Sequence, residues 1–433
     1  MAIAQPHALV SSFCSAAPGY ISNSSFAPYK SSLVKLTLMS SSGTEERLNL
    51  SSSTTTSPFK ARRSSIMRLP SAIDLISLQM PSLSCTFPAL VHADYEVVKE
   101  RCDAWIEALA EPPSASASRF LHDCLLPLLV CQFIPKTVSE QRLVHVIKAI
   151  AWLMIADDDD DHPDVLGSDY ATTSHRANLV MAILRKEDGV NESSFDCSFL
   201  ANTRPGFATK CARMLKSLSE LWDEIRKEMP PSVQARFIST MADYFEGIKV
   251  QASFRAQVTI PDMESYMEIR RQASFTIPCF ILMEYALGIE LDEPTFYNPL
   301  IQELRNVALD YISLCNDIVS SPIEIGIGDY FNLPSILYSS AVSPSNFTSF
   351  QNAMDHVAQM AEDLNNRAIS LISTIHDDNK HIEPYMVAPI HAYVEALSLG
   401  MSGALAWFYK TARYQEAHGR SDLHQLANQG MPH

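Results

Sequence analysis

Ala149-Ile-Ala-Trp-Leu-Met-Ile-Ala-Asp-Asp-Asp-Asp-Asp-His-Pro-Asp164 decides how this chain is read: an apolar segment runs into five consecutive aspartates, a His-Pro break and a sixth aspartate. From Val144 to Ala156 only His145 and Lys148 are polar, the composition of a helix buried on nearly all sides. The residue before a proline is pushed out of the α region, so Pro163 is expected to stop the helix. The aspartates then stand at the helix C-terminus, where the macrodipole is already negative. Two unit charges about 4 Å apart repel by roughly 4 kcal/mol at the effective dielectric of a protein surface, and several such pairs crowd together here. A cation is expected to offset them. Asp157, Asp158 and Asp161 fall at i, i+1 and i+4, so Asp157 and Asp161 share a face with Asp158 beside them. Hard oxygen donors on one turn suit Mg²⁺. Taken alone, the run also reads as a solvated acidic loop.

It does not stand alone. About 155 residues downstream comes Leu314-Cys-Asn-Asp-Ile-Val-Ser-Ser-Pro-Ile-Glu324, with Asn316, Ser320 and Glu324 at i, i+4 and i+8. At about 100° per residue each step drifts by only about 40°, so an amide, a hydroxyl and a carboxylate form one stripe on a helix. Three oxygen donors of graded charge on one face make a second candidate metal site.

With both stretches in view, the chain resembles the class I terpene synthases of the microbial type. Their first motif, Asp-Asp-x-x-Asp, follows a buried helix with an aromatic residue five positions ahead, as Trp152 stands to Asp157. Their second, Asn-Asp-x-x-Ser-x-x-x-Glu, is matched at Asn316, Asp317, Ser320 and Glu324, with a trailing Gly-Asp-x-x-Asn at Gly328, Asp329 and Asn332. A third, Arg-Tyr near the C-terminus, is matched by Arg413-Tyr414 behind Trp407. The aspartate run and Arg-Tyr are weak signals singly; three motifs in order at these separations are a strong one. The resemblance implies an all-α, single-domain bundle of ten or more helices around an apolar active-site pocket. It also implies a prenyl diphosphate substrate and a cluster of three Mg²⁺ ions held by Asp157, Asp158 and Asp161 on one wall and Asn316, Ser320 and Glu324 on the other. Arg413 and Tyr414 would bind the diphosphate. In Ser265-Tyr-Met-Glu-Ile-Arg-Arg-Gln-Ala-Ser-Phe275, Arg270 stands where the family carries a diphosphate-sensing arginine ahead of a helix break. A guanidinium suits that task because its planar fork holds phosphate oxygens by paired hydrogen bonds. Trp152 and Trp407 would line the pocket or pack the core.

Composition agrees. The chain has 433 residues, 47% of them hydrophobic, and a formal charge of −16, which suits one large helical domain and argues against nucleic-acid or anionic-membrane partners. Nine cysteines include no Cys-x-x-Cys pair, so neither a zinc cluster nor a disulfide framework is indicated. No run of 18 apolar residues suggests a membrane span. A monomer or homodimer is expected.

Residues 1–66 differ from the rest. Up to Thr44 there is no acidic residue and serine is abundant, while arginine first appears at Arg47. The segment reads as a disordered tail of a cytoplasmic protein, or as a transit peptide for a plastid or mitochondrion. The catalytic domain is expected over 67–420, with a flexible tail at 421–433. Apolar periodicity predicts helices near 91–111, 119–133, 138–158, 171–186, 206–228, 232–256, 262–288, 298–321, 346–376 and 383–416.

Two features depart from the family pattern. The residue before the motif glutamate, often lysine, is Ile323, and Pro322 precedes it. A proline inside a helix removes a hydrogen bond and clashes with the carbonyl four residues back, here Ile318, so a kink is expected between Ser320 and Glu324. The aspartate run is also degenerate: Asp160-Asp161-x-x-Asp164 satisfies the first motif too, and Asp157 to Asp160 formally satisfies the Asp-x-Asp-Asp of protonation-type cyclases. Trp152 and the second motif favour ionisation chemistry with Asp157 leading. The expected activity is Mg²⁺-dependent ionisation of farnesyl diphosphate and cyclisation or quenching to a sesquiterpene, with geranyl or geranylgeranyl diphosphate as alternative substrates. A chain-elongating prenyltransferase would use two Asp-Asp-x-x-Asp motifs, and the second stretch here is Asn, Ser and Glu. From another class, a non-catalytic cation-binding helical protein remains the rival.

Overall fold

Side-chain caps set where many of the helices begin. The computed structural model describes residues 61–62, 69–71, 74–75, 77–187, 195, 197–200, 206–257, 259–339, 347–377 and 383–414. Among them the α-helices are α1 (Tyr95–Ala110), α2 (Ala115–Asp123), α3 (Leu126–Phe133), α4 (Glu140–Asp161), α5 (Tyr170–Arg185), α6 (Phe207–Glu228), α7 (Pro231–Ala256), α8 (Met263–Ala273), α9 (Thr276–Leu287), α10 (Glu293–Phe296), α11 (Pro299–Gly326), α12 (Leu333–Ser339), α13 (Phe350–Asp377) and α14 (Val387–Phe408). Ser114, Ser139, Asp169 and Asp262 each accept a hydrogen bond from a first-turn N–H of α2, α4, α5 and α8, donors that a helix cannot satisfy internally. Among the described residues the strands are β1 (Ala61–Arg62) and β2 (Ile260–Pro261), paired antiparallel with Ala61 opposite Pro261. The rest of the leading segment 1–66, apart from this pair, and the tail 421–433 lie outside the described residues.

The bundle is organised on α9. Its sequence is apolar all round, and nearly all of it is buried, which is the signature of a central helix. It packs against α4, α7, α11 and α14. Two close approaches draw α14 onto α3: a Cβ at Gly403 would stand 2.0 Å from the Gln132 carbonyl oxygen, and one at Gly400 would stand 3.3 Å from Phe133 Cε2. No helix among the described residues is long and apolar enough to cross a membrane.

The structure corrects several expected boundaries. The segment 119–133 is two helices, because Leu125 takes a left-handed φ of 54° and Pro127 sits at the start of α3. The segment 262–288 divides at Ser274–Phe275, with Pro278 in the first turn of α9. Helix α4 continues through all five consecutive aspartates to Asp161, and a π-turn at Pro163–Gly167 follows.

Pro322 does not end its helix. α11 runs on to Gly326, so Asn316, Ser320 and Glu324 stay on one helix. The carbonyl of Ile318, which loses its partner to the proline, accepts a hydrogen bond from Ser321 Oγ at 3.3 Å. This local replacement lets the donor stripe survive a residue that ordinarily breaks helices. Ser321→Ala is therefore expected to lower stability by about 1–2 kcal/mol, the cost of a buried acceptor left bare, measurable as a lower urea midpoint at unchanged slope.

Candidate active site

All nine candidate residues, Asp157, Asp158, Asp161, Arg270, Asn316, Ser320, Glu324, Arg413 and Tyr414, line one cavity of about 380 Å³. That size falls in the roughly 300–1,000 Å³ range of small-molecule sites. Its polar end is built by α4, α7, α8 and α11 with the Arg413-Tyr414 turn. Leu129, Phe133, Ile150, Met154, Phe275 and Ile312 are among its apolar walls.

The aspartate run is sorted by what each carboxylate meets. Asp157 accepts a hydrogen bond from Tyr244 Oη at 2.9 Å. Asp158 is held by both terminal nitrogens of Arg413, and Asp161 accepts from Arg255 at 3.1 Å. Asp159 and Asp160 are absent from the cavity wall: Lys210 binds Asp159 at 2.8 Å, and Arg176 binds Asp160 and also donates to the Ala156 carbonyl at 3.2 Å. The registers that need Asp159 or Asp160 at the cavity thus find those carboxylates already engaged elsewhere. The Asp164 side chain lies outside the described residues.

Charge is strained along this wall. Burial first, then the charges of Asp161, Asp158 and Asp160, push the Asp157 carboxyl well above the usual range, while Tyr244 pulls the other way. Asp160 is pushed up to about 7 by burial, although Arg176 opposes the shift. Arg176 and Asp160 are both buried. Removing one partner of such a pair strands the other charge, so Arg176→Met is expected to lower stability by about 3–5 kcal/mol, seen as a large fall in thermal midpoint.

On the opposite wall Arg270 donates to Asn316 Oδ1 at 2.8 Å and pairs with Asp317 at 3.1 Å. Asn316 in turn donates to Tyr414 Oη at 3.0 Å, which Arg413 Nε also reaches at 3.3 Å. The neighbouring Arg271 pairs with Asp310, so of the two arginines Arg270 is the one at the cavity. Glu324 accepts from Asn332 Nδ2 at 2.8 Å, and burial together with Asp329 and Asp317 pushes its carboxyl up to about 8. Ser320 Oγ is buried and short of a close hydrogen-bond partner, although it faces Glu324 and weakly favours the charged carboxylate.

Sequence reasoning missed Arg255. It reaches Asp161 on one wall and Asp329 on the other, at 3.1 and 2.8 Å, and ties the two acidic stretches together. Nothing in Ser253-Phe-Arg255 marks it, because it belongs to no motif. Tyr244 was equally invisible, whereas Tyr266, whose hydroxyl donates to Asp317 at 2.5 Å, lies in the stretch around Arg270 that the sequence singles out. Of the two tryptophans, Trp407 lines the cavity and donates to the Cys124 carbonyl at 2.9 Å. Trp152 is core: its Nε1 donates to the Met214 carbonyl at 2.9 Å and the ring does not reach the cavity.

Among the described residues no three His, Cys, Asp or Glu side chains converge as a ready-made metal group. Each wall instead offers oxygen donors of mixed type, with the Ser320 hydroxyl short of a partner and neighbouring carboxylates that still raise Asp157 and Glu324 although Arg413, Arg255 and Arg270 pair with Asp158, Asp161 and Asp317. That donor chemistry fits a hard divalent cation.

Residues 148–367, just over half of the chain and including both acidic stretches, match the family model for terpene synthase family 2, C-terminal metal binding. The chain belongs to the terpene synthase family. It is an enzyme of that class, and the family's metal-binding region implies a divalent metal. Arg413 and Tyr414 lie beyond the matched span. Among relatives, microbial terpene synthase-like protein 13 of Selaginella moellendorffii is 25% identical over 339 residues, covering 78% of this chain and 87% of that protein. Alpha-muurolene synthase of Coprinopsis cinerea is 27% identical over 76% of this chain and 72% of its own length. Germacradien-4-ol synthase from Streptomyces citricolor superposes with a TM-score of 0.60 at 20% identity, over 76% of this chain and 98% of that one. The fold is thus shared with a bacterial enzyme of low sequence identity.

Proposed function

We propose that this terpene synthase ionises a prenyl diphosphate, farnesyl diphosphate above all, and cyclises or quenches the resulting cation to a sesquiterpene. The observation that carries the reading is the convergence of nine candidate residues, scattered from Asp157 to Tyr414, on one cavity whose walls also include Leu129, Phe133, Ile150, Met154, Phe275 and Ile312. The relatives named sesquiterpene or alpha-muurolene synthases support the choice of substrate length.

Asp157, Asp158 and Asp161, with Asn316, Ser320 and Glu324 opposite, would hold Mg²⁺, three ions by family resemblance, whose charge stabilises a departing diphosphate. Arg270 Nε and Arg255 Nη1 are buried without a hydrogen-bond partner among the described residues, so each guanidinium has a donor to spare for phosphate oxygens. Arg413 and Tyr414 add donors from the C-terminal side. Fixed donors in a water-poor site favour charge separation more than the same groups would in water. Below them, Phe133, Phe275 and Trp407 present rings to the hydrocarbon chain, and a ring face attracts a carbocation as it does an ammonium. Proton loss or water capture ends the sequence, and the released diphosphate is the candidate acceptor of that proton.

Incubation with geranyl, farnesyl and geranylgeranyl diphosphates, with and without Mg²⁺, followed by volatile analysis and diphosphate release, tests the proposal. Hydrocarbon or alcohol products that require Mg²⁺ are expected, with farnesyl diphosphate turned over fastest. Condensation of two prenyl diphosphates would mark a chain-elongating enzyme instead. A cytoplasmic site of action belongs to the same proposal; import of residues 1–66, fused to a fluorescent reporter, into a plastid or mitochondrion would overturn it.

A further inference from the structure

The depth of the cavity can be read along its helices. On α4 the residues facing it are Asp157, then Met154 and Ile150, while Ile147, one turn further in, is fully buried core and absent from the wall. At 1.5 Å of rise per residue, Ile150 stands about 10 Å below Asp157, and the cavity ends near that level. On α14 the wall runs from Phe408 and Trp407 to Ala404 and stops there; Gly400 is the next residue down that face. The side chain that occupies this level is Phe133, at the end of the wholly buried α3.

Phe133 is fixed from two sides. Its ring stacks on Phe280 with centroids 6.0 Å apart and planes 5° from parallel. Its edge lies against Gly400, where a Cβ would meet Phe133 Cε2 at 3.3 Å, Phe133 Cδ2 at 3.5 Å and Met283 Cε at 2.9 Å. The bare glycine is what lets the ring that lines the cavity lie back against α14. Met283 Cε is the free end of a flexible chain and can yield, so a small side chain at 400 is tolerable in the fold but crowds the ring.

We infer that Phe133, seated against Gly400, sets the length of isoprenoid chain that the cavity accepts. The inference rests on the prenyl diphosphate reading above. Enlarging residue 400 pushes the ring into the cavity and favours shorter chains; shortening residue 133 opens the floor and favours longer ones. Loss of the Phe133 ring face would slow all three substrates together, whereas a change of floor depth alters the ratio between them, so the ratio is the readout.

The test compares kcat/KM, from diphosphate release, for geranyl, farnesyl and geranylgeranyl diphosphates in the wild-type chain, Gly400→Ala, Phe133→Leu and Phe133→Ala, with circular dichroism to establish folding. Phe133→Leu and Phe133→Ala are expected to raise the geranylgeranyl-to-farnesyl ratio by about tenfold or more, and Gly400→Ala to raise the geranyl-to-farnesyl ratio, in line with the discrimination one or a few methylenes give in an apolar pocket. The double variant Gly400→Ala with Phe133→Leu should return toward the wild-type ratio, since the two changes meet at one contact. Should Phe133→Ala fail to fold, Phe133→Leu and Gly400→Ala decide. Ratios that move by less than about twofold in folded, active variants overturn the inference. A wild-type chain inactive on all three substrates would instead sink the reading on which it rests.

Discussion

Asp157→Asn is expected to lower kcat/KM by about 100-fold or more, a loss of about 3 kcal/mol in transition-state stabilisation, while leaving the fold intact. The substitution keeps an oxygen that can accept from Tyr244, so the hydrogen bond at 2.9 Å survives and only the charge is lost. The effect should therefore appear in activity and in the Mg²⁺ concentration needed for half-maximal rate. Asp160→Asn should show the opposite profile. Its carboxylate is buried against Arg176 and away from the cavity, so losing its charge leaves the arginine with only the longer Asp159 ion pair at 4.0 Å and lowers the thermal midpoint, with a smaller effect on the folded enzyme's Mg²⁺ requirement. Asp161→Asn is expected between them in activity, because water often replaces one carboxylate around Mg²⁺ and Arg255 would still hold Asp329. If Asp157→Asn is nearly silent and Asp160→Asn raises the Mg²⁺ requirement, the acidic site begins at Asp160.

The contrast also shows what a sequence can and cannot display. At about 100° per residue, and measured from Asp157, Asp161 lies about 40° to one side and Asp160 about 60° to the other, so helical phase alone hardly separates them. The choice is made by Arg176 on α5, which binds Asp160 and the Ala156 carbonyl of α4, and no sequence pattern announces that α5 packs there. The all-helical architecture, the buried helix leading to the aspartates and the stripe Asn316, Ser320 and Glu324 were legible because each is a local periodic pattern. Arg255 was not, since its role arises only where α7 passes between Asp161 and Asp329. The expected helix end at 321 fell short, because α11 runs through Pro322 to Gly326. The rule that proline ends a helix is sound, but Ser321 supplies the Ile318 carbonyl with the hydrogen bond that the proline cannot. Trp152 and Trp407 were indistinguishable as sequence, and only the rotation of their helices sends one ring to the core and the other to the cavity.

Glu324 offers the sharpest separation between a metal-binding role and a structural one. Its carboxylate accepts from Asn332 Nδ2, and the backbone just beyond it folds back, with the Asp329 N–H donating to the Glu324 carbonyl at 2.8 Å. A purely structural glutamate would be replaced by glutamine at little cost, since the amide oxygen still accepts from Asn332. The electrostatics point elsewhere: a half-buried carboxyl pushed up to about 8 by burial and by Asp329 and Asp317 is poorly stabilised as an anion by the protein alone. A divalent cation would relieve that deficit, with the Ser320 hydroxyl and the Asn316 amide oxygen one and two turns back on the same stripe. Glu324→Gln is therefore expected to cut kcat/KM by on the order of 100-fold or more and to raise the Mg²⁺ requirement steeply, with helical circular dichroism and thermal midpoint close to wild type. Asn316→Ala should match it in direction, with an added loss because Arg270 and Tyr414 both lose a partner. A Glu324→Gln enzyme that keeps wild-type turnover at the wild-type Mg²⁺ concentration would reduce Glu324 to a buttress for Asn332 and leave the second wall without a charged ligand.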